Sequence, residues 1–263
     1  MFDTQDLVKI ATCLYCLSLG STFLPDRRRS VVRLFLYPAL IANAAAALLR
    51  YRQAWPMLPM YLGPVALSLC LGCMVLLIRQ GEKNGTLTVR IAVAQTLFIC
   101  LAAVLFPKDY YLPFIKSQTV WAHLFFLFSV VGKGCFLICA AWALAGLIGN
   151  TIKKSPASNT EHRLPIIDSR RTLRWAVWGF AFWTLAIFTG EVWSYLGWGT
   201  PVVWEDPVIT TTMATWFFYI CLLHLHLTGS WTARSRQIYA AAGALVIFLL
   251  NCIPELGPFR WPI

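Results

Sequence analysis

Apolar runs of about 20 residues recur along almost the whole chain, and that is the length an α-helix needs to cross a bilayer core of about 30 Å. They lie near 7–24, 31–49, 57–78, 86–106, 119–149, 173–194, 208–228 and 238–254. With 59% hydrophobic and only 13% charged residues over 263 positions, no stretch is polar and long enough to make a separate soluble domain. The pattern predicts an all-α fold: one integral membrane domain over 1–263, a polytopic bundle of about eight transmembrane helices. The first run follows Asp3 and Asp6 and has no basic leader, so it reads as a retained span.

The net charge of +11 does not call for nucleic acid, because its placement is lopsided. Arg27, Arg28, Arg29, Arg79, Lys83, Lys153, Lys154, Arg163, Arg170, Arg171, Arg174, Arg234 and Arg236 fall at one set of boundaries. The opposite loops hold Arg50, Arg52, Lys108, Lys116 and Arg260. Such a bias marks the first set as cytoplasmic and puts both termini outside. The outward segments then include the Trp-rich stretch 190–207. The longest connection, "NTIKKSPASNTEHRLPIIDSRR", is polar and separates a five-helix part from a three-helix part. Nine cysteines fall within spans, where a small apolar side chain packs between helices. "CLYC" and "CLGC" lack the βαβ context of a redox motif, and no C-x-x-C-H haem attachment site is present.

Ionisable groups at membrane depth are costly and mark function. His123 falls in the first turn of the fifth span, and Lys133 lies about 15 Å deeper on the same helix at 1.5 Å per residue. His224 lies about 24 Å into the seventh span by the same count, too far inward to share an iron with His123. The segment "TGEVWSYLGWGTPVVWEDP" combines Trp193, Trp198 and Trp204 with Gly190, Gly197, Gly199, Pro201 and Pro207. An interfacial aromatic belt accounts for the tryptophans alone. The glycines, the prolines and the Glu205–Asp206 pair add the expectation of a shaped loop whose indoles receive a flat apolar ligand.

These residues resemble the tryptophan-rich "WWD" segment of the cytochrome c assembly proteins, the haem-handling CcsA/ResC/CcmC group. Gly190, Trp193, Trp198, Gly199 and Trp204 fall in step with that pattern, followed by Asp206 and Pro207, then Trp216 and His224. A second stretch, "PFIKSQTVWAH", is similar to the family's loop before an external histidine, through Pro113, Ser117 and His123. The resemblance covers mainly 105–255. It divides the chain into four N-terminal spans (1–106) and a haem-handling region (107–263).

The resemblance implies that haem b is the cargo, that His123 and His224 are its paired axial ligands on the outer face, and that the Trp-rich segment is its platform. This pairing conflicts with the depth obtained for His224 by counting residues. Lys108, Lys116 and Lys133 are the candidate propionate or path residues. Val202 stands where the family has a second tryptophan, and "WEDP" carries one acid more than "WDP". The implied function is delivery of haem to apocytochrome c in a bacterial cytoplasmic membrane, with the Trp-rich segment on the periplasmic or outer side. The implied partner is a membrane subunit with a large external domain. Any synthase activity would belong to the complex, since no catalytic residue stands out. Two rivals are a haem-associated regulator of haem synthesis or oxidase assembly, and a secondary transporter of small organic anions.

Overall fold

The structure, a computed structural model, describes residues 4–24, 30–56, 62–78, 85–107, 119–152, 166–228 and 231–259. Among these, all regular structure is helical. The helices are α1 (Thr4–Ser21), α2 (Ser30–Ala54), α3 (Leu62–Leu77), α4 (Gly85–Leu105), α5 (Val120–Ile152), α6 (Ile166–Trp198), α7 (Pro207–Thr228) and α8 (Ala233–Ile247). A π-helical turn, Phe248–Cys252, and a 3-10 turn, Ile253–Glu255, prolong α8. Six helices are long and apolar enough to cross a membrane. The sixteen-residue α3 is shorter, and α1 carries Asp6 and Lys9 among its apolar residues.

The eight expected spans are therefore the eight helices, with shifted ends. Helix α6 runs on through the Trp-rich stretch to Trp198 instead of giving way to a loop after 194. Nothing between Gly190 and Trp198 breaks a helix. The break comes at Gly199, whose φ of +75° is open to glycine without a Cβ penalty. Its N–H donates to Tyr195 O at 2.9 Å, which closes the helix with a left-handed cap.

Contacts between helix ends show that successive helices alternate in direction. Ser18 near the end of α1 donates to Val32 O at the start of α2. Arg90 at the start of α4 donates to Thr22 O just past α1 and lies over the Phe23 ring, so it is held rather than reaching for the interface. At the opposite end, Tyr51 and Trp55 of α2 meet His123 of α5, and Gly257 N–H donates to Phe106 O just past α4. The described arginines of α4, α6 and α8 gather at one end of the bundle, and the Trp-rich segment lies at the other. We call these the arginine end and the tryptophan end.

Helix α5 is the axis of the bundle and packs on α3, α4, α6 and α8. Every residue from Cys135 to Ala143 is at most 2% exposed, as expected of a helix that is apolar all round. Its partner α6 comes close at Gly179, where a Cβ would strike the Phe136 ring at 2.5 Å. The four N-terminal helices are joined by buried polar contacts: Asn43 Nδ2 donates to Ser68 Oγ at 2.8 Å and to Tyr15 OH at 3.3 Å. Such contacts hold helices together where apolar burial gives no preference over lipid. All nine cysteines are free thiols. Cys100, Cys135 and Cys139 are buried in the expected packing role, whereas Cys13, Cys16, Cys73 and Cys221 face outward.

Candidate functional site: an aromatic cleft at the tryptophan end

The last three turns of α6, the connection 199–206, the first two turns of α7 and Phe125 of α5 form the walls of a cleft open to solvent. Its walls are Phe125, Ile187, Trp193, Trp198, Pro201, Val202, Val208, Ile209 and Met213, with Gly190, Glu191, Ser194, Asp206 and Thr212 between them. That lining suits the face of a largely apolar small molecule.

The aromatic wall is ordered. Phe125 and Trp193 are stacked with ring centroids 6.2 Å apart and planes 19° apart, and Trp193 meets Trp198 edge-on at 5.5 Å. Gly190 makes the first of these contacts possible, because a Cβ there would stand 3.0 Å from the Phe125 ring. The floor is set by hydrogen bonds: Ser194 Oγ donates to Thr200 O, and Thr200 Oγ1 donates to Val202 O. Asp206 is the N-cap of α7, its Oδ1 accepting from Val208 N–H at 2.8 Å, and Pro207 takes the first helical position. The acid and proline of "EDP" thus begin a helix. Trp204 is 68% exposed and lies outside the cleft lining. Trp216 faces α6 instead, donating from Nε1 to Thr184 Oγ1 at 3.0 Å.

Of the expected platform, the structure brings Gly190, Trp193, Trp198 and Asp206 together at the cleft. Gly199 and Pro207 frame it, and Trp204 is left aside. Phe125, Glu191, Ile209 and Met213 are contributors that the sequence did not single out. Among the described residues the cleft lining holds two acids, Glu191 and Asp206, and no lysine or arginine. Lys108 and Lys116 lie outside the described residues.

The histidines are not brought together. Phe136 of α5 stacks on Tyr219 of α7 at 3.4 Å, which fixes the relative level of these two parallel helices. His123 precedes Phe136 by thirteen residues and His224 follows Tyr219 by five. The offset along the bundle is about 27 Å, or roughly five helical turns. His224 is exposed near the arginine end, where counting along the span places it. His123 is at the tryptophan end, but it is two residues from Phe125 and so about 200° around α5 from it. It faces α2, with its ring edge-on to Tyr51 at 5.8 Å and tilted against Trp55 at 5.9 Å. Its Nδ1 lies 2.9 Å from Thr119 O, and Nε2 is buried with no hydrogen-bond partner among the described residues.

Lys133 is also paired. Its ammonium meets the Glu255 carboxylate at 2.5 Å and is almost wholly buried.

The model of the family described as "Cytochrome C assembly protein" matches residues 57–253, three quarters of this fold. The chain belongs to the cytochrome C assembly protein family. Similar members include "Cytochrome c biogenesis protein CcsA" of Guillardia theta, 35% identical over 101 residues, which is 38% of this chain and 32% of that protein. The protein of the same name from Chlamydomonas reinhardtii is 28% identical over 131 residues, 50% of this chain and 36% of the other. The solved structure of "Cytochrome c Heme Lyase CcmF" superposes with a TM-score of 0.65 at 18% identity, covering 97% of this chain and 48% of that one. The cytochrome C assembly fold is thus present nearly throughout. The chain spans about half the length of that structure, and the matched parts cover about a third of these relatives.

Proposed function

We propose that this chain takes part in c-type cytochrome biogenesis by binding haem b at its tryptophan end and presenting it to apocytochrome c. The observation that carries this reading is the cleft walled by Phe125, Trp193 and Trp198. Flat indoles and a phenyl ring match a porphyrin face, and family membership names cytochrome c assembly as the process.

His123 is the axial ligand in this reading. An Nδ1–H directed at Thr119 O leaves the Nε2 lone pair uncommitted, the tautomer suited to binding iron. His123 faces α2 while the cleft lies on the α6–α7 side of α5, so one haem touches both only if the first turn of α5 shifts. His224 would share this iron only if α7 moved about five turns relative to α5. The haem-holding state proposed here therefore uses His123 without His224.

The tryptophan end faces outward in a bacterial cytoplasmic membrane, and the arginine end faces the cytoplasm, following the charge bias. A membrane subunit with a large external domain presents the apocytochrome, and covalent attachment belongs to the complex. The chain supplies position and exclusion of water, and the reactive chemistry is the cargo's own.

Two measurements test this. Protein purified in mild detergent with haem supplied should show a Soret band that His123→Ala alters. A colourless protein under these conditions sinks the haem site. Deletion of the gene should remove covalently bound haem from c-type cytochromes on a stained gel, and normal staining refutes the assembly role.

A further inference from the structure

Lys133 and the first turn of α3 form an anion site, and the chain itself fills it. The Lys133 side chain is 6% exposed and has Glu255 as its acidic partner. The second oxygen of that carboxylate, Oε2, rests where a Cβ on Gly63 would be, so Glu255 also sits against the start of the sixteen-residue α3. The positive end of the helix dipole favours an anion there. A side chain larger than glycine at 63 would evict the carboxylate.

Glu255 is the more exposed partner. Its side chain is 33% exposed and it ends the 3-10 turn that follows the π-helical distortion of α8. π-Turns in α-helices are frequent at functional sites. Well-packed apolar residues hold a bundle as well as a buried ion pair does, so stability alone does not account for this one. An ionisable pair at membrane depth is a candidate functional site.

The geometry points to a carboxylate-binding site in which Glu255 is an internal placeholder, displaced when the carboxylate of an amphiphilic acid reaches Lys133. This deepens the haem reading, on which the identity of the acid rests. Lys133 lies ten residues from His123 on α5, about 15 Å along the axis. In that reading the acid is a propionate of haem carried inward from the tryptophan end. Departure of Glu255 frees the segment that also ties Asn251 to Thr215 of α7 and Gly257 to Phe106.

The test uses dodecanoate and dodecanol as probes, on the full chain in detergent. Dodecanoate should raise the Tm of Glu255→Gln, whose lysine has lost its partner, while dodecanol should not. The double variant Lys133→Met with Glu255→Met, which buries no unpaired charge, should respond to neither. If Glu255→Gln folds poorly, dodecanoate should rescue its yield and dodecanol should not. Equal responses to acid and alcohol, or an acid response kept in the double variant, overturn the site. Haem and its dimethyl ester then address the cargo: Glu255→Gln should bind haem roughly tenfold tighter than wild type, with ester affinity unchanged. A dodecanoate effect without this difference keeps the site and removes haem as its acid.

Discussion

Phe125 and Trp193 face each other from α5 and α6 with planes 19° apart, and Gly190 holds them there by offering no side chain of its own. This pair is the aromatic wall of the cleft. Removing the indole should therefore cost ligand affinity more than it costs fold. Trp193→Ala is expected to weaken haem binding about tenfold, the scale of one lost aromatic contact. Trp204→Ala, at a residue outside the lining, should bind within about twofold of wild type. Titration by tryptophan quenching in detergent compares them. Equal losses would return both tryptophans to an interfacial belt.

The two histidines make opposite predictions. His123 has an uncommitted, buried Nε2 at the tryptophan end, whereas His224 is exposed about 27 Å away along the bundle. His123→Ala should shift or abolish the Soret band of haem-loaded protein, and His224→Ala should leave it in place. Loss of the same band in both variants would mean that one iron takes both imidazoles. The haem-bound bundle would then differ from the one described here by a large movement of α7.

Which parts of this were readable beforehand follows from what a bilayer does to sequence patterns. Helix number was legible, because apolar length is set by the membrane itself. The depth of His224 followed from counting residues at a fixed rise, and the structure agrees with the count rather than with pairing. The lateral faces were not legible. Lipid and helix partners are both apolar, so no periodicity says that Phe125 looks toward Gly190 while His123 looks toward Tyr51. Glu255 escaped notice because its partner, Lys133, is 122 residues away in sequence and only folding brings them together. The N-cap in "EDP" did have a local signal, an acid followed by proline ahead of an apolar run.

That cap allows a clean separation of helix from ligand. Asp206 Oδ1 takes the Val208 N–H, so Asp206→Ala should destabilise the protein by about 1 kcal/mol, and Asp206→Asn should restore most of it. Thermal unfolding in detergent measures both. If Asp206→Asn keeps its stability yet loses haem, the carboxylate acts on the ligand as well as on the helix.

A close helix approach at a buried ring predicts a damaging substitution in the bundle. Gly179 of α6 lies on the Phe136 ring, and Phe136 in turn stacks on Tyr219 of α7. A side chain at 179 must push Phe136 aside, yet that ring is fully buried between three helices and has nowhere to go. Overpacking of this kind costs about 1–3 kcal/mol for small additions. Gly179→Ala should lower thermal stability measurably, and Gly179→Leu should prevent recovery of a monodisperse protein. Phe136→Leu combined with Gly179→Ala removes the offending ring edge and should regain part of the loss. Tm and size-exclusion profiles of the three variants decide it. A Gly179→Leu protein as stable as wild type would mean that α6 does not approach α5 here as described.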